Sequence, residues 1–422
     1  MNVVCYPSTL RGSLQAIPSK SDAHRLLICA ALAEKPTILR LPGWQGEDIA
    51  ATLRCLTVLG ASFDQQGDQI IVTPIASPPS SPVLHCGESG STLRFLLPVV
   101  AALGCGGTFT GTGRLPLRPL GPLLDALRAG GMICEGEGLP LTIGGKLEPG
   151  AYSLPGDVSS QFVSGMLFAL PLCGGGEVVL QGPLESKGYV DMTVDSLSRF
   201  HISVQVAENV YRILPGQGYR SAGEADVQGD WSNAAFFLAA GALGGPVAIS
   251  SLQLPSTQGD AAVAELLTRF GAVFRTRENC VTLSAGGARK AVSIDARGIP
   301  DLVPILAVVA SVTPGITRFP GVGRLRLKES DRLAGITQML TDLGGQAWVS
   351  SDCLFVQGTA SLTGGRVDCI QDHRIAMSAA IAATLCREET QLVGAEAVNK
   401  SYPSFFNDYV KLGGRCNVLN HG

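Results

Sequence analysis

The sequence predicts an α/β protein of two domains, each made of three copies of one unit of about 70 residues. Three observations carry this. The 422 residues are too many for one ordinary core and suit two of about 200 residues each. A pattern of helix, small residue and strand recurs six times, pivoting at Gly60, Gly130, His201, Gly271, Gly344 and Gly413, 69 to 73 residues apart. A second series runs in phase with it. Polar clusters open strongly apolar helices at Ser21, Ser91, Ser160, Ser232, Asp301 and His373, 69 to 72 residues apart. Two independent markers sharing one period are the signature of internal repeats.

Each element follows from its residues. A Gly that ends a helix supplies the left-handed cap, so His201 predicts a third turn that differs. Helices such as SGSTLRFLLPVVAAL and WSNAAFFLAAGAL are apolar on every face and have to be buried. The second helix of each unit is amphipathic and covers a further face. GDQIIVTPI, GLPLTIGG, GEVVLQG and GPVAISSL read as strands. Buried helices therefore lie inside and sheets outside. Helix N-termini carry unpaired N–H groups and partial positive charge. If the three buried helices of each domain run parallel, six such ends face one cleft, which is a design for binding anions. The turn-rich stretch Gly216–Asp230 suits a hinge. The domains are expected at 19–228 and at 1–18 with 229–422, since the first strand, VVCYPS, reads as a partner of the second half. The chain then crosses twice, and the two crossovers form the hinge.

Composition excludes several classes. With 45% hydrophobic and 16% charged residues the chain is globular rather than disordered. A net charge of −3 supplies no basic field for nucleic acid or an anionic membrane. Apolar runs reach about a dozen residues, short of the roughly 20 that span a bilayer. The N-terminal segment MNVVCYPSTLRGSLQ lacks the pattern of a secretory signal. Twelve Cys without a CxxC pair read as buried thiols in a reducing compartment, so a cytoplasmic location is expected.

Charge sits where helix physics disfavours it. In Ile17-Pro18-Ser19-Lys20-Ser21-Asp22-Ala23-His24-Arg25, Ser21 and Asp22 read as capping residues, whereas Lys20 stands at the positive end of a helix and reads as an anion contact. Cys86-Gly87-Glu88-Ser89-Gly90-Ser91-Thr92-Leu93-Arg94 opens an apolar helix with Gly residues and hydroxyls, a backbone able to cradle phosphate or carboxylate. Arg114 and Arg118 lie in a Pro-stiffened loop, and Arg is the usual residue for bidentate recognition of such groups. Ser159-Ser160-Gln161 opens the third apolar helix, and Ser186-Lys187-Gly188-Tyr189 follows. Read alone, both are ordinary caps. The second half brings acids among its cations: Asp301, then Lys328-Glu329-Ser330-Asp331-Arg332, Asp372-His373-Arg374 and Lys400. Two polyanionic substrates with general acid and base chemistry fit that combination.

The order PSKSDAHR, GESGSTLRF, GTGRLPLRP, SSQF, SKGY, GDWSNAAFFLAA, KESDR, QDHRIAM and NKSYPSFF resembles, from end to end, the 5-enolpyruvylshikimate-3-phosphate synthases among the enolpyruvyl transferases. The resemblance implies a two-domain inverted, inside-out α/β barrel with six repeats, three per domain. It implies a monomer that transfers the enolpyruvyl group of phosphoenolpyruvate to the 5-hydroxyl of shikimate 3-phosphate, by addition to a tetrahedral intermediate and elimination of phosphate. No metal or organic cofactor is implied, and glyphosate is expected to compete for the phosphoenolpyruvate site. Lys20, Ser21, Arg25, Ser159, Ser160, Gln161, Ser186, Tyr189, Asp301 and Lys328 look like contacts to shikimate 3-phosphate. Lys20, Gly90, Arg114, Gln161, Arg332, Arg374 and Lys400 look like contacts to phosphoenolpyruvate. Asp301 resembles the base at the 5-hydroxyl. Glu329 resembles the acid that protonates the methylene carbon, with Lys20 the alternative donor.

Three positions depart from the family pattern: Glu88 stands where Asn is frequent, Phe95 where Pro is common, and Arg324 where Asn is frequent. The rival within the superfamily acts on UDP-N-acetylglucosamine and typically carries a reactive Cys or Asp where this chain has Gly113. It also usually has Lys-Asn in place of Lys20-Ser21. A non-catalytic anion-binding repeat protein is the rival of another class, and retained Lys20, Asp301 and Glu329 argue against it.

Overall fold

The structure is a computed structural model and describes residues 1–43 and 46–419. The chain separates into two compact units, Pro18–Val227 and Met1–Ile17 with Gln228–Gly422. Each has its own hydrophobic core.

The unit of residues 18–227 contains helices α1 (Lys20–Ala31), α2 (Glu47–Val58), α3 (Gly90–Leu103), α4 (Gly121–Ala129), α5 (Ser160–Ala169) and α6 (Lys187–Arg199). The Ala- and Leu-rich α1, α3 and α5 are buried along almost their whole length, while α2, α4 and α6 bury one face. α3 and α5 pack unusually closely. Pro98 removes the N–H that would have bonded to the Arg94 carbonyl, and Gly165 of α5 lies against that carbonyl, where a Cβ would collide. Three four-stranded sheets complete the unit. In two of them the strands flanking a buried helix are parallel neighbours, 83–85 with 107–110 around α3 and 151–155 with 176–181 around α5. An antiparallel hairpin adds the remaining strands. In the third sheet 37–40 follows α1, and its parallel neighbour is 224–226, from the far end of the unit.

The other unit repeats the plan with α7 (Trp231–Leu243), α8 (Val263–Arg269), α9 (Val303–Ser311), α10 (Arg332–Asp342), α11 (His373–Ala383) and α12 (Phe405–Lys411). Here α7, α9 and α11 are the buried helices. Strands 365–368 and 390–393 run parallel around α11, and 12–15 pairs in parallel with 247–250 after α7. Around α9 the leading strand shrinks to a single parallel bridge, Ser293 to Arg318, leaving a three-stranded sheet. The first strand, Asn2–Tyr6, lies between 390–393 and 415–419.

The pivots obey the expected backbone physics with two corrections. Gly60, Gly271, Gly344 and Gly413 have positive φ, and the third turn does not differ as expected, since His201 also takes a positive φ, 62°, despite its side chain. In the second repeat the left-handed residue is Gly131 rather than Gly130. Gly130 is held instead by crowding, since a Cβ there would lie 2.6 Å from Leu147 Cδ1. All twelve cysteines are reduced; six are buried and the rest half-buried. Among the described residues no helix is long and apolar enough to cross a membrane.

Candidate functional site

In the unit of residues 18–227 the predicted residues gather at the starts of the three buried helices. The caps are Ser19, Ser89 and Ser159, whose hydroxyls accept the N–H groups of Asp22, Thr92 and Gln161. Capping by Ser21 or Asp22 is thereby corrected: α1 begins one residue after Ser19, which frees Ser21. Lys20 is the first residue of α1, and its ammonium donates to Asp48 Oδ2 on α2 at 2.8 Å. Arg25 is buried and ties α1 to α6, donating to Thr193 Oγ1 at 2.9 Å and to the Tyr189 carbonyl at 2.7 Å. A third bond runs to the Ser21 carbonyl. Burial pulls its guanidinium pKa down to about 10, against the pull of Asp22. Ser186, before α6, is buried in a left-handed conformation.

The α3 start is organised by two arginines. Arg94 donates to Gln161 Oε1 at 2.8 Å and to the Pro119 carbonyl at 3.0 Å, and Gln161 Nε2 donates to Ser91 at 2.9 Å. Arg94 also lies over the Phe162 ring at 5.3 Å. The Pro119 bond draws in the loop that carries Arg118. A Cβ on Gly90 would lie 2.6 Å from Arg118 Nη1, so this guanidinium rests on the glycine. Arg114 is exposed, on the far side of the 3₁₀ turn Leu115–Leu117. Glu88, the departure noted above, is laid across Gly113, whose missing Cβ leaves room for its carboxylate.

The second unit gathers its acids around one cation. Arg332, 1% exposed, donates to Asp372 Oδ2 at 2.9 Å, Asp301 Oδ1 at 2.6 Å and Glu329 Oε2 at 2.6 Å. Burial opposes its charge, yet the three carboxylates outweigh that and hold its pKa above the ordinary value. Asp301 lies before the start of α9 and does not cap it; its carboxylate faces Arg332, with Lys328 at 3.9 Å and Arg374 at 3.6 Å. Burial pushes the Lys328 pKa down to about 8, with Asp301 opposing. Asp372 caps α11, accepting the Arg374 N–H at 2.9 Å, and Ser330 donates to it at 2.9 Å. Asp331 caps α10 and meets Arg326 at 3.3 Å. Arg374 Nη1 donates to the Ser232 carbonyl at 2.9 Å, and its guanidinium lies over Phe236. The Ser232 hydroxyl donates to buried Asp260, whose pKa rises to about 6 through burial and then through Asp301. Lys400 donates to the Gln371 carbonyl at 2.8 Å, beside the start of α11. Among the described residues no cluster of three or more His, Cys, Asp or Glu is arranged to hold a metal ion.

A model of the family EPSP synthase (3-phosphoshikimate 1-carboxyvinyltransferase) matches residues 4–409. The chain belongs to the EPSP synthase family. Relatives named 3-phosphoshikimate 1-carboxyvinyltransferase agree with it over their length. The one from Clostridium kluyveri is 40% identical over 420 residues, covering 99% of this chain and 98% of the relative. That from Clostridium perfringens (strain ATCC 13124) is 39% identical over 421 residues, covering 98% of each. Among solved structures, EPSP synthase from Acinetobacter baumannii superposes with a TM-score of 0.82 at 24% identity, covering 99% of this chain and 100% of that one. The enolpyruvyl transferase NikO from Streptomyces tendae gives 0.79 at 18% identity, covering 99% and 98%. These two likenesses establish the fold, the inside-out α/β architecture of EPSP synthases.

Two polar residues beside the site, Asp48 and Asp260, are not singled out by the sequence, and two that are, Asp372 and Arg118, gain from the structure their places against Arg332 and Gly90. A signal for three of them exists in the repeat itself. Lys20 meets Asp48 and Ser232 meets Asp260, each 28 positions on, and Arg118 follows Gly90 by the same interval. Lys400 follows its acceptor Gln371 by 29. In each of these repeats the segment opening the second half of the unit returns over the first turn of the buried helix. A polar residue about 28 positions after that turn is therefore a site candidate.

Proposed function

We propose that this EPSP synthase family member transfers the enolpyruvyl (1-carboxyvinyl) group of phosphoenolpyruvate to the 5-hydroxyl of shikimate 3-phosphate and releases phosphate. Family membership over nearly the whole chain is the observation that carries this reading. Asp301 takes the proton of the 5-hydroxyl as the oxygen bonds to C2 of phosphoenolpyruvate. Glu329 gives a proton to the methylene carbon, with Lys20 the alternative donor. The tetrahedral intermediate then loses the methyl proton to a base as its C–O bond to phosphate breaks, restoring the double bond. The carboxylates around Arg332 support such proton traffic, since one guanidinium holds Asp301 and Glu329 at fixed positions.

Ser21, Ser159, Ser160, Gln161, Ser186, Tyr189 and Lys328 are the proposed contacts to shikimate 3-phosphate. Arg25 acts chiefly by fixing Ser21 and Tyr189, whose carbonyls it binds. Lys20, Gly90, Gln161, Arg332, Arg374 and Lys400 are the proposed contacts to phosphoenolpyruvate. To these the geometry adds Arg118 in preference to exposed Arg114, because its guanidinium lies on Gly90. Phosphate release from phosphoenolpyruvate is the test, run with shikimate 3-phosphate and in parallel with UDP-N-acetylglucosamine. Turnover with the first alone is expected. Turnover with the sugar nucleotide alone, or with neither, overturns the reading.

A further inference from the structure

Behind the phosphoenolpyruvate contacts of residues 18–227 runs a buried polar ladder that joins three helices. His24 lies one turn beneath Lys20 on α1 and is 0% exposed. Its Nδ1 is 2.8 Å from Thr52 Oγ1 on α2, which is 2.6 Å from Thr92 Oγ1 on α3. Thr92 donates its hydroxyl to Ser89 Oγ at 2.7 Å, and Ser89 also accepts the Thr92 N–H as the cap of α3. The other imidazole nitrogen, Nε2, is buried with no hydrogen-bond partner.

The direction of this ladder is decided by proton counting. Burial lowers the His24 pKa to about 3, with Lys20 and Arg25 reinforcing and Asp48 opposing, so the ring is neutral and carries one N–H. A proton on Nε2 would strand a donor in the core; a proton on Nδ1 strands only a lone pair, the more tolerable loss. The far end gives the same answer. Thr92 has one hydroxyl proton, directed to Ser89 at 2.7 Å with the Asp48 carbonyl a more distant acceptor at 3.5 Å, and in either case it does not go to Thr52. Thr52 then supplies the proton to Thr92, and only the His24 Nδ1–H is left to supply the bond to Thr52. Ser89 consequently receives two bonds from Thr92, and the residue it fixes next along the chain is Gly90.

We infer that His24 is a positioning residue for the anion contact at the start of α3: its Nδ1–H sets the direction of the Thr52–Thr92–Ser89 chain and so holds the first turn of α3, with Gly90, in place. The inference rests on the reading that this turn takes phosphoenolpyruvate. It predicts a selective defect. His24→Leu removes the donor at similar size and raises the KM for phosphoenolpyruvate about tenfold, the worth of one buried hydrogen bond and its stranded partner. The KM for shikimate 3-phosphate and kcat stay within about threefold. His24→Asn keeps an N–H toward Thr52 and restores the KM for phosphoenolpyruvate to within about threefold of wild type.

The test combines these kinetics with long-range ¹H–¹⁵N spectra of the histidine rings in the full-length protein, the His24 signal being assigned by its loss in His24→Asn. A neutral ring protonated at Nδ1 from pH 5 to 9 is expected. An Nε2–H tautomer, an unchanged KM for phosphoenolpyruvate in His24→Leu, equal losses in both KM values, or failure of Asn to rescue overturns the proposal. Should His24→Leu fail to fold, Thr52→Val cuts the ladder one link further along and is held to the same outcome. Absence of shikimate 3-phosphate-dependent turnover in the wild type instead sinks the functional reading and leaves the tautomer result standing on its own.

Discussion

Replacing Arg332 by Met isolates the electrostatics of the second unit. The guanidinium is buried and bonds to three carboxylates, of which Asp372 is 0% exposed and twice contacted, at 2.9 and 3.3 Å. Met keeps much of the volume and removes the charge. Removing one partner from a buried ion pair costs about 3–5 kcal/mol, because the remaining charge is left without compensation. Against a total stability of about 5–15 kcal/mol, that is a large fraction. The assay is urea unfolding followed by tryptophan fluorescence, for which Trp231 and Trp348 report on this unit. Arg332→Lys retains charge without the fork that spans three acceptors and falls between the two. Adding Asp372→Asn to the Met variant recovers about 1 kcal/mol or more. A loss below about 1 kcal/mol would refute the reasoning.

Asp301→Asn and Glu329→Gln are each expected to lower kcat by about a hundredfold or more while shikimate 3-phosphate binding, measured by titration, changes little; near-normal turnover removes that residue from the mechanism. Gly90→Ala brings a methyl within 2.6 Å of Arg118 Nη1 and displaces the guanidinium, so the inhibition constant of glyphosate should rise more than the KM for phosphoenolpyruvate, and equal inhibition of both proteins counts against this placement. Lys328, with its pKa pushed down to about 8 by burial, loses its proton as pH rises through that value. The KM for shikimate 3-phosphate should climb across pH 7 to 9 in the wild type and stay flat in Lys328→Met, and a profile shared by both proteins removes Lys328 from the contacts.

The repeat architecture was legible because burial acts on every residue of a helix. A helix apolar on all faces has one destination, and six of them at one period fix the plan of the molecule. The first residues of those helices were legible too, since a cation at the positive end of a dipole calls for an explanation. Side-chain direction within loops was less accessible. Arg114 and Arg118 are alike in sequence, and only the turn Leu115–Leu117, with the bond from Arg94 to the Pro119 carbonyl, decides which one reaches Gly90. The same holds for Asp48 and Asp260. Each lies in a stretch of no recognisable motif, and each gains meaning from a first turn 28 residues earlier. The cap of α1 was misplaced by two residues or more because Ser19, Ser21 and Asp22 are all good caps, and propensity alone does not rank neighbours.

The capping residues divide the two units by charge. In residues 18–227 the buried helices start from neutral hydroxyl caps, Ser19, Ser89 and Ser159. In the other unit α7 and α11 are capped by Asp230 and Asp372, and Asp301 stands just ahead of α9. A carboxylate cap satisfies the backbone N–H groups as well as a hydroxyl does, and it also cancels the positive end of the dipole. In residues 18–227 α3 and α5 therefore keep positive ends with no acid in the cap or first turn, while α1 carries Asp22 in its first turn; α7 and α11 have carboxylates at theirs. The α5 end, capped by neutral Ser159, suits the phosphate ester proposed to lie there. Ser159→Asp tests it, because Asp is at least as good a cap and differs chiefly in charge. The helix should form normally and thermal stability should hold or rise slightly. Affinity for shikimate 3-phosphate should fall at least tenfold, since about half a unit of positive charge is cancelled and a full negative charge added beside the ester. Ser159→Asn, neutral and equally able to cap, separates charge from shape and should lose much less. If Asp and Asn weaken binding equally, the lost hydroxyl is responsible and the uncancelled dipole has no part in holding the phosphate.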